Sequence, residues 1–218
     1  MNPLICGRCG AYDGTPVVDT AAGTLNCREC GHRDPFLRLP LFSLTGPSGT
    51  GKSTIARRLT ESLAGRAVVL EQDVLWIGAL RDDDPRPFRA AWLRMAAMIH
   101  QSGRPVVLCG TVAPPEFACL PEHVLFSEIR YLALTCDDDV LAGRLRGRPA
   151  WRAWDEARIA ETLDHNAWIR AHAGEFGMRL LDTTGVPAET TANEVAGWIR
   201  AAIAEPGSAS VGASSGTT

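Results

Sequence analysis

Gly46-Pro47-Ser48-Gly49-Thr50-Gly51-Lys52-Ser53 is the stretch on which the reading of this chain turns. It satisfies G-x-x-x-x-G-K-[ST], the Walker A pattern: backbone N–H groups cradle phosphates, the lysine reaches the outer ones, and the serine hydroxyl ligates magnesium. Of the 22 Lys and Arg residues in this 218-residue chain, Lys52 is the one lysine. A compact ammonium fits between phosphate oxygens as a point charge, where a planar guanidinium is too wide. A chain this biased towards arginine has kept its lysine where the two cannot be exchanged. Gly46, Ser48, Gly49, Thr50, Gly51, Lys52, Ser53 and Thr54 are therefore expected to hold ATP, with Ser53 on Mg²⁺.

Outward from the loop, apolar runs alternate with amphipathic stretches. Leu39–Thr45 reads as a buried strand feeding the loop and Gly51–Ala64 as the helix after it. Arg66–Leu70, Pro105–Cys109, Ile129–Thr135 and Arg179–Leu181 read as further strands. Phe88, Trp92, Met95, Met98 and Ile99 fall at helical spacing within Pro85–Gln101. Val140–Leu145, Asp155–Ala173 and Glu189–Ile203 read as helices. Strands separated by helix-length segments predict right-handed βαβ units and a parallel sheet.

Residues 1–36 are different in kind. Cys6-Gly7-Arg8-Cys9 and Cys27-Arg28-Glu29-Cys30 form C-x2-C-x17-C-x2-C, each pair followed by a glycine. Four thiolates so spaced can surround one ion, and a segment this short has too little core to fold without it. The expectation is a zinc-ribbon-like module with structural Zn²⁺ on Cys6, Cys9, Cys27 and Cys30; rubredoxin-type iron uses the same ligand set. His32 reads as a solvent-facing neighbour, and Cys109, Cys119 and Cys136 as small buried hydrophobes. The expected division is 1–36 ribbon, 37–204 nucleotide-binding domain and 205–218 a disordered tail too polar to bury itself.

A phosphate loop alone does not say what is done with the nucleotide. Asp73 follows the second strand, at the end of the sheet where ligands of open parallel sheets bind, and can orient or deprotonate a substrate hydroxyl. Arg144 and Arg148 are four residues apart and share a face if their helix continues that far. Arginines in such a lid stabilise the charge of a transferring phosphoryl group. Trp151 and Trp154, just beyond, read as core packing at helical spacing, with stacking on a planar acceptor as the alternative. Asp82-Asp83-Asp84 and Asp137-Asp138-Asp139 read as solvated helix caps.

The GPSGTGKST loop, the acid after strand two, the L-x-x-R-L-x-x-R-P lid and the Leu181-Asp182-Thr183-Thr184 segment together resemble the small-molecule kinases of the P-loop superfamily, over roughly residues 38–204. The resemblance implies an α/β three-layer sandwich with a five-stranded parallel sheet of order 2-3-1-4-5. It matches Lys52, Asp73, Arg144 and Arg148 to catalytic positions and Asp182 to the neighbourhood of adenine. It also implies phosphoryl transfer from ATP to a small acceptor, with a nucleoside or nucleotide the expected one. The chain departs from many P-loop ATPases where strand three ends: Cys109-Gly110-Thr111 carries no acidic Walker B residue.

A net charge of −3 gives no footprint for nonspecific nucleic-acid binding. No apolar run is long enough to span a membrane. Met1–Cys6 lacks the features of a signal peptide, and the cysteine usage predicts a cytoplasmic setting. The rival reading is an ATP-hydrolysing switch that docks a protein or nucleic-acid partner through the ribbon; a kinase of nucleic-acid ends is disfavoured by the charge.

Overall fold

A computed structural model describes residues 2–75 and 84–204. Asp82, Asp83 and the 205–218 tail lie outside the described residues. The chain begins with a small antiparallel sheet of β1 (Val17–Asp19), β2 (Thr24–Asn26) and β3 (Arg33–Pro35), in that order. The Cys6 and Cys27 carbonyls accept from the Gly10 and Gly31 amides at 3.0 Å, closing the two knuckles.

The second sheet holds β4 (Leu41–Thr45), β5 (Val68–Glu71), β6 (Val106–Cys109), β7 (Ile129–Thr135) and β8 (Arg179–Asp182), all parallel. Their order is β5-β6-β4-β7-β8. Counted within this sheet, that is the expected 2-3-1-4-5. β4 is central and every one of its residues is buried, which accounts for its unbroken apolar run.

Side chains alternate between two helical layers with the period of two that a strand imposes. Leu41, Val106, Leu108 and Ala133 pack with Phe88, Trp92 and Leu93 of α2 (Arg86–His100) and Ile169 of α5 (Glu156–His172). Phe42, Leu44, Val107, Leu132 and Leu134 pack with Leu59 of α1 (Lys52–Ser62) and Ile199 of α6 (Ala188–Ala204). α3 (Pro114–Ala118) and a 3₁₀ turn at Pro121–Leu125 were not expected from the sequence. α4 (Asp138–Arg146) is capped by the Asp137 carboxylate, which accepts from Asp139 and Val140. Among the described residues, no helix is long and apolar enough to cross a membrane.

The ribbon is joined to the α2 layer. Leu25 and Phe36 lie in the same cluster as Trp92, Leu120 and Phe126. The Gln101 amide, one residue past α2, brackets Leu37 by accepting from its N–H at 2.9 Å and donating to its carbonyl at 3.0 Å.

His100 closes α2 and is fully buried; its Nε2 accepts from Val106 N–H at 3.1 Å. Burial pulls its pKa down from 6.5 to about 4. Between those values the unfolded chain takes up a proton that the folded chain refuses, so stability is lost as pH falls through this window. Urea unfolding is expected to show a loss of about 2 kcal/mol between pH 7 and pH 5 from this residue alone. His100→Gln, which keeps an acceptor for Val106, should flatten that slope; an unchanged slope contradicts the assignment.

Candidate active site

Parallel register brings the carboxyl ends of three strands together. Glu71 lies beside Cys109, and Leu44 lies beside Cys109 on its other side. Directly beyond β4 the chain turns through residues 46–51 and enters α1 at Lys52. Gly46, Gly49 and Gly51 all have positive φ, as a loop that points its amides inward requires. Gly46 is the tightest: a Cβ there would stand 2.3 Å from the carbonyl oxygen of Leu134.

Lys52 Nζ donates to the carbonyls of Gly46 at 2.6 Å and Pro47 at 2.8 Å, so the ammonium lies over the loop it serves. Burial pulls its pKa down to about 8, and the Asp73 carboxylate opposes that shift. Both groups line a cavity of about 240 Å³ together with Ser53, Glu71 and Thr111. Asp73 sits in the 3₁₀ turn Gln72–Leu75, immediately past β5, where the sequence placed it. Thr111 Oγ1 donates to Gly46 O at 3.0 Å, tying the end of β6 to the loop. Cys109 also lines the cavity, and burial together with the nearby Glu71 charge pushes its thiol up to about 12, so it stays protonated there.

The arginines divide differently from expectation. α4 stops at Arg146 and Gly147 caps it, because the residue before Pro149 is steered away from helical geometry. Arg148 therefore leaves the helical face and lines the cavity, joined by Arg152, which the sequence reading missed. Arg144 is turned elsewhere: it donates to Gly49 O at 3.4 Å, Thr183 Oγ1 at 3.3 Å and Thr183 O at 3.1 Å. Arg144, Arg148 and Arg152 recur every four residues, and that spacing was the available signal for Arg152.

Neither tryptophan sits on α5. Trp151 is 77% exposed, in the 3₁₀ turn Ala150–Arg152, so the core-packing expectation fails for it. Trp154 does pack against the cluster of Leu141, Leu145 and Ile159, as expected. Both rings also carry guanidiniums: Arg152 lies over Trp151 at 4.8 Å, and Trp154 has Arg148 at 5.4 Å and Arg158 at 4.1 Å. Asp182 ends β8 and accepts from Thr184 N–H at 2.8 Å and from its hydroxyl at 2.6 Å, bonds that hold its carboxyl below the usual range. It shapes the turn that Arg144 grips. Cys109 and Cys136 are buried as expected; Cys119, at the end of α3, is exposed.

The other candidate site is the ribbon. The sulfurs of Cys6, Cys9, Cys27 and Cys30 lie within 4.8 Å of one another. Cys6 and Cys30 are 3.8 Å apart, and Cys9 and Cys27 3.7 Å apart. Four thiolates bound to one zinc at about 2.3 Å stand about 3.8 Å apart at the corners of a tetrahedron. The spacing fits that ion and is far too long for disulfides. His32 does not join the set; its Nε2 pairs with Asp34 at 3.2 Å.

Comparison with known proteins places this geometry. Among solved structures, a gluconokinase from Sinorhizobium meliloti aligns with a TM-score of 0.56 at 21% identity, over 76% of this chain and 95% of that one. A sugar kinase from a Janibacter species aligns with a TM-score of 0.57 at 16% identity, over 76% and 95% respectively. At such identities the likeness is one of fold, and the fold is one this chain shares with those two kinases. No curated protein matches the chain. The family model for an AAA domain matches residues 43–164, from β4 through the loop, Asp73 and the arginine segment into α5. That span covers more than half of the chain and every group gathered around Lys52, and the chain belongs to the AAA domain family of P-loop proteins.

Proposed function

We propose that the chain is an ATP-dependent phosphotransferase that moves the γ-phosphoryl group to a hydroxyl of a small acceptor. The observation that carries this reading is the convergence of Lys52, Asp73 and Arg148 on one cavity, with a carboxylate facing cations across a space wide enough for phosphates. The structural neighbours, a gluconokinase and a sugar kinase, point the same way. Sugars join nucleosides and nucleotides as candidate acceptors on that account.

In this mechanism the loop amides and Lys52 hold the β- and γ-phosphates. Ser53 would hold magnesium, which when bound would neutralise phosphate charge. Asp73 orients the acceptor hydroxyl and takes its proton as the new O–P bond forms. Arg148 and Arg152 meet the charge that spreads over the equatorial oxygens. Arg144 and the turn at Asp182 flank the nucleobase end of the nucleotide. The 1–36 segment is a structural zinc ribbon, and 37–204 is the catalytic domain.

The test is transfer itself. Purified protein, ATP and magnesium are incubated with a panel of sugars, nucleosides and nucleotides, and products are read by mass. One acceptor should gain a single phosphate, and Asp73→Asn should lower that rate by about two to four orders of magnitude. Transfer at the wild-type rate by Asp73→Asn contradicts the role given to Asp73. ATP loss with no modified acceptor contradicts the function.

A further inference from the structure

Two cations of the phosphate cavity lie over aromatic rings. Arg148 and Arg152 line that cavity with Lys52 and Asp73. Among the described residues, no hydrogen bond and no salt bridge engages either guanidinium. Arg148 instead lies 5.4 Å from the centre of the Trp154 ring, and Arg152 lies 4.8 Å from that of Trp151. The difference is chemical. A carboxylate that holds a guanidinium occupies its N–H groups and cancels its charge. An aromatic face attracts the same cation through the ring quadrupole and leaves the in-plane N–H groups free.

The two rings are not equivalent. Trp151 is mostly exposed, where such a contact is weak. Trp154 packs against Leu141 and Leu145 of α4 and Ile159 of α5, and a second guanidinium, that of Arg158, lies 4.1 Å from its centre. Arg158 NH1 also donates to the carbonyls of Arg152 at 2.9 Å and Ala153 at 3.4 Å, which ties down the turn leading into the ring. Ala153 in that turn is left-handed (φ 49°, ψ 53°), an unfavourable conformation for a residue with a Cβ. The Trp154 Nε1 is buried and meets no protein partner, so hydrogen bonding does not explain an indole here. A leucine or phenylalanine would fill the same apolar site without an orphaned donor. What the indole adds is a large electron-rich face beside Arg148.

We infer that Trp154 is a positioning residue for phosphoryl transfer: its ring holds the Arg148 guanidinium in the phosphate cavity with the N–H groups free for the transferring group. This rests on the phosphotransferase reading above and adds a residue to it. Trp154 does not itself line the cavity, so it acts through Arg148. Without the ring, nothing fixes Arg148 against repulsion from its neighbours. Burial already works against its charge, Arg152 and Arg158 add to that, and Asp73 opposes it. Like charges so close push a mobile side chain towards water. The ring offsets that push and leaves the charge uncancelled, which is what a donor aimed at equatorial phosphate oxygens needs.

The experiment measures kcat and KM for transfer by the full chain, with an acceptor that the panel identifies. Trp154→Leu keeps an apolar group in the site but removes the face, and should lower kcat by about tenfold or more with little change in either KM. Trp154→Phe keeps a face and should retain most of kcat. In an Arg148→Ala background, Trp154→Leu should lower kcat no further, because the residue through which it acts is gone. Wild-type kcat in folded Trp154→Leu, a loss confined to KM, Trp154→Phe as slow as Trp154→Leu, or an undiminished further loss in the Arg148→Ala background overturns this inference and leaves phosphoryl transfer standing. Absence of transfer by the wild-type protein overturns both. If thermal unfolding shows that Trp154→Leu does not fold, the bulkier Trp154→Met decides on the same terms.

Discussion

Lys52→Ala is expected to lower phosphoryl transfer steeply without unfolding the protein. The ammonium sits 2.6 and 2.8 Å from the loop carbonyls of Gly46 and Pro47, at the centre of the cavity that Asp73 and Arg148 line. Removing it takes away the one fixed positive charge that the loop supplies to the outer phosphates. A fall of about two to four orders of magnitude in the transfer rate is expected, with weaker ATP binding. Stability should not fall, because burial disfavours the charged form of Lys52 and pulls its pKa down to about 8. Burial outweighs the attraction of Asp73, so the charge costs free energy, and the alanine variant is expected to unfold at the same temperature as the wild type or slightly above it. Lys52→Arg is the sharper control. It keeps the charge, and the chain uses arginine everywhere else, yet a planar fork cannot occupy the space between the two carbonyls. Activity recovered by arginine would contradict the role assigned to the ammonium.

Stripping the four-thiolate site is expected to have the second large effect, and the effect should extend beyond the ribbon. Structural zinc binds small cysteine modules with roughly 10–16 kcal/mol. The sheet β1-β2-β3 has no core of its own: Leu25 of β2 and Phe36 just after β3 are buried against Trp92, Leu120 and Phe126 instead. Loss of the ion therefore uncovers the outer surface of α2 and frees the two bonds from Gln101 to Leu37. Metal analysis should give one zinc per chain. A strong chelator, or Cys9→Ser, should lower the unfolding temperature of the whole protein. It should also raise amide exchange in residues 86–101 more than in residues 52–62. Unfolding unchanged by metal removal, or iron in the purified protein, contradicts the zinc assignment.

These sites differ in how much of them could be read from residues alone, and the reason is range. The loop at Gly46–Ser53 and the cysteine pairs are local patterns whose chemistry fixes their spacing, so both were legible. β4 and β6 were legible because a central parallel strand is apolar on both faces. α3 was not, since a five-residue helix opening on Pro114-Pro115 looks like an interruption. Arg148 was assigned to a helical face that Gly147 and Pro149 end before it. Trp151 was assigned to a core that its 77% exposure rules out. The ion pair of Arg89 with Glu116 could not have been found, because its partners are 27 residues apart and meet only when α2 and α3 pack together. Long-range pairing of this kind leaves no period in a sequence.

The central claim is that the cavity at Lys52 hands a phosphoryl group to a second molecule rather than to water. ATP carrying heavy oxygen on its γ-phosphoryl group tests this most directly, with an acceptor that the panel identifies and mass spectrometry of every product. The account predicts the labelled phosphoryl group on the acceptor, and loss of that product in Lys52→Ala. Label recovered only as inorganic phosphate, with the acceptor unchanged, would contradict it.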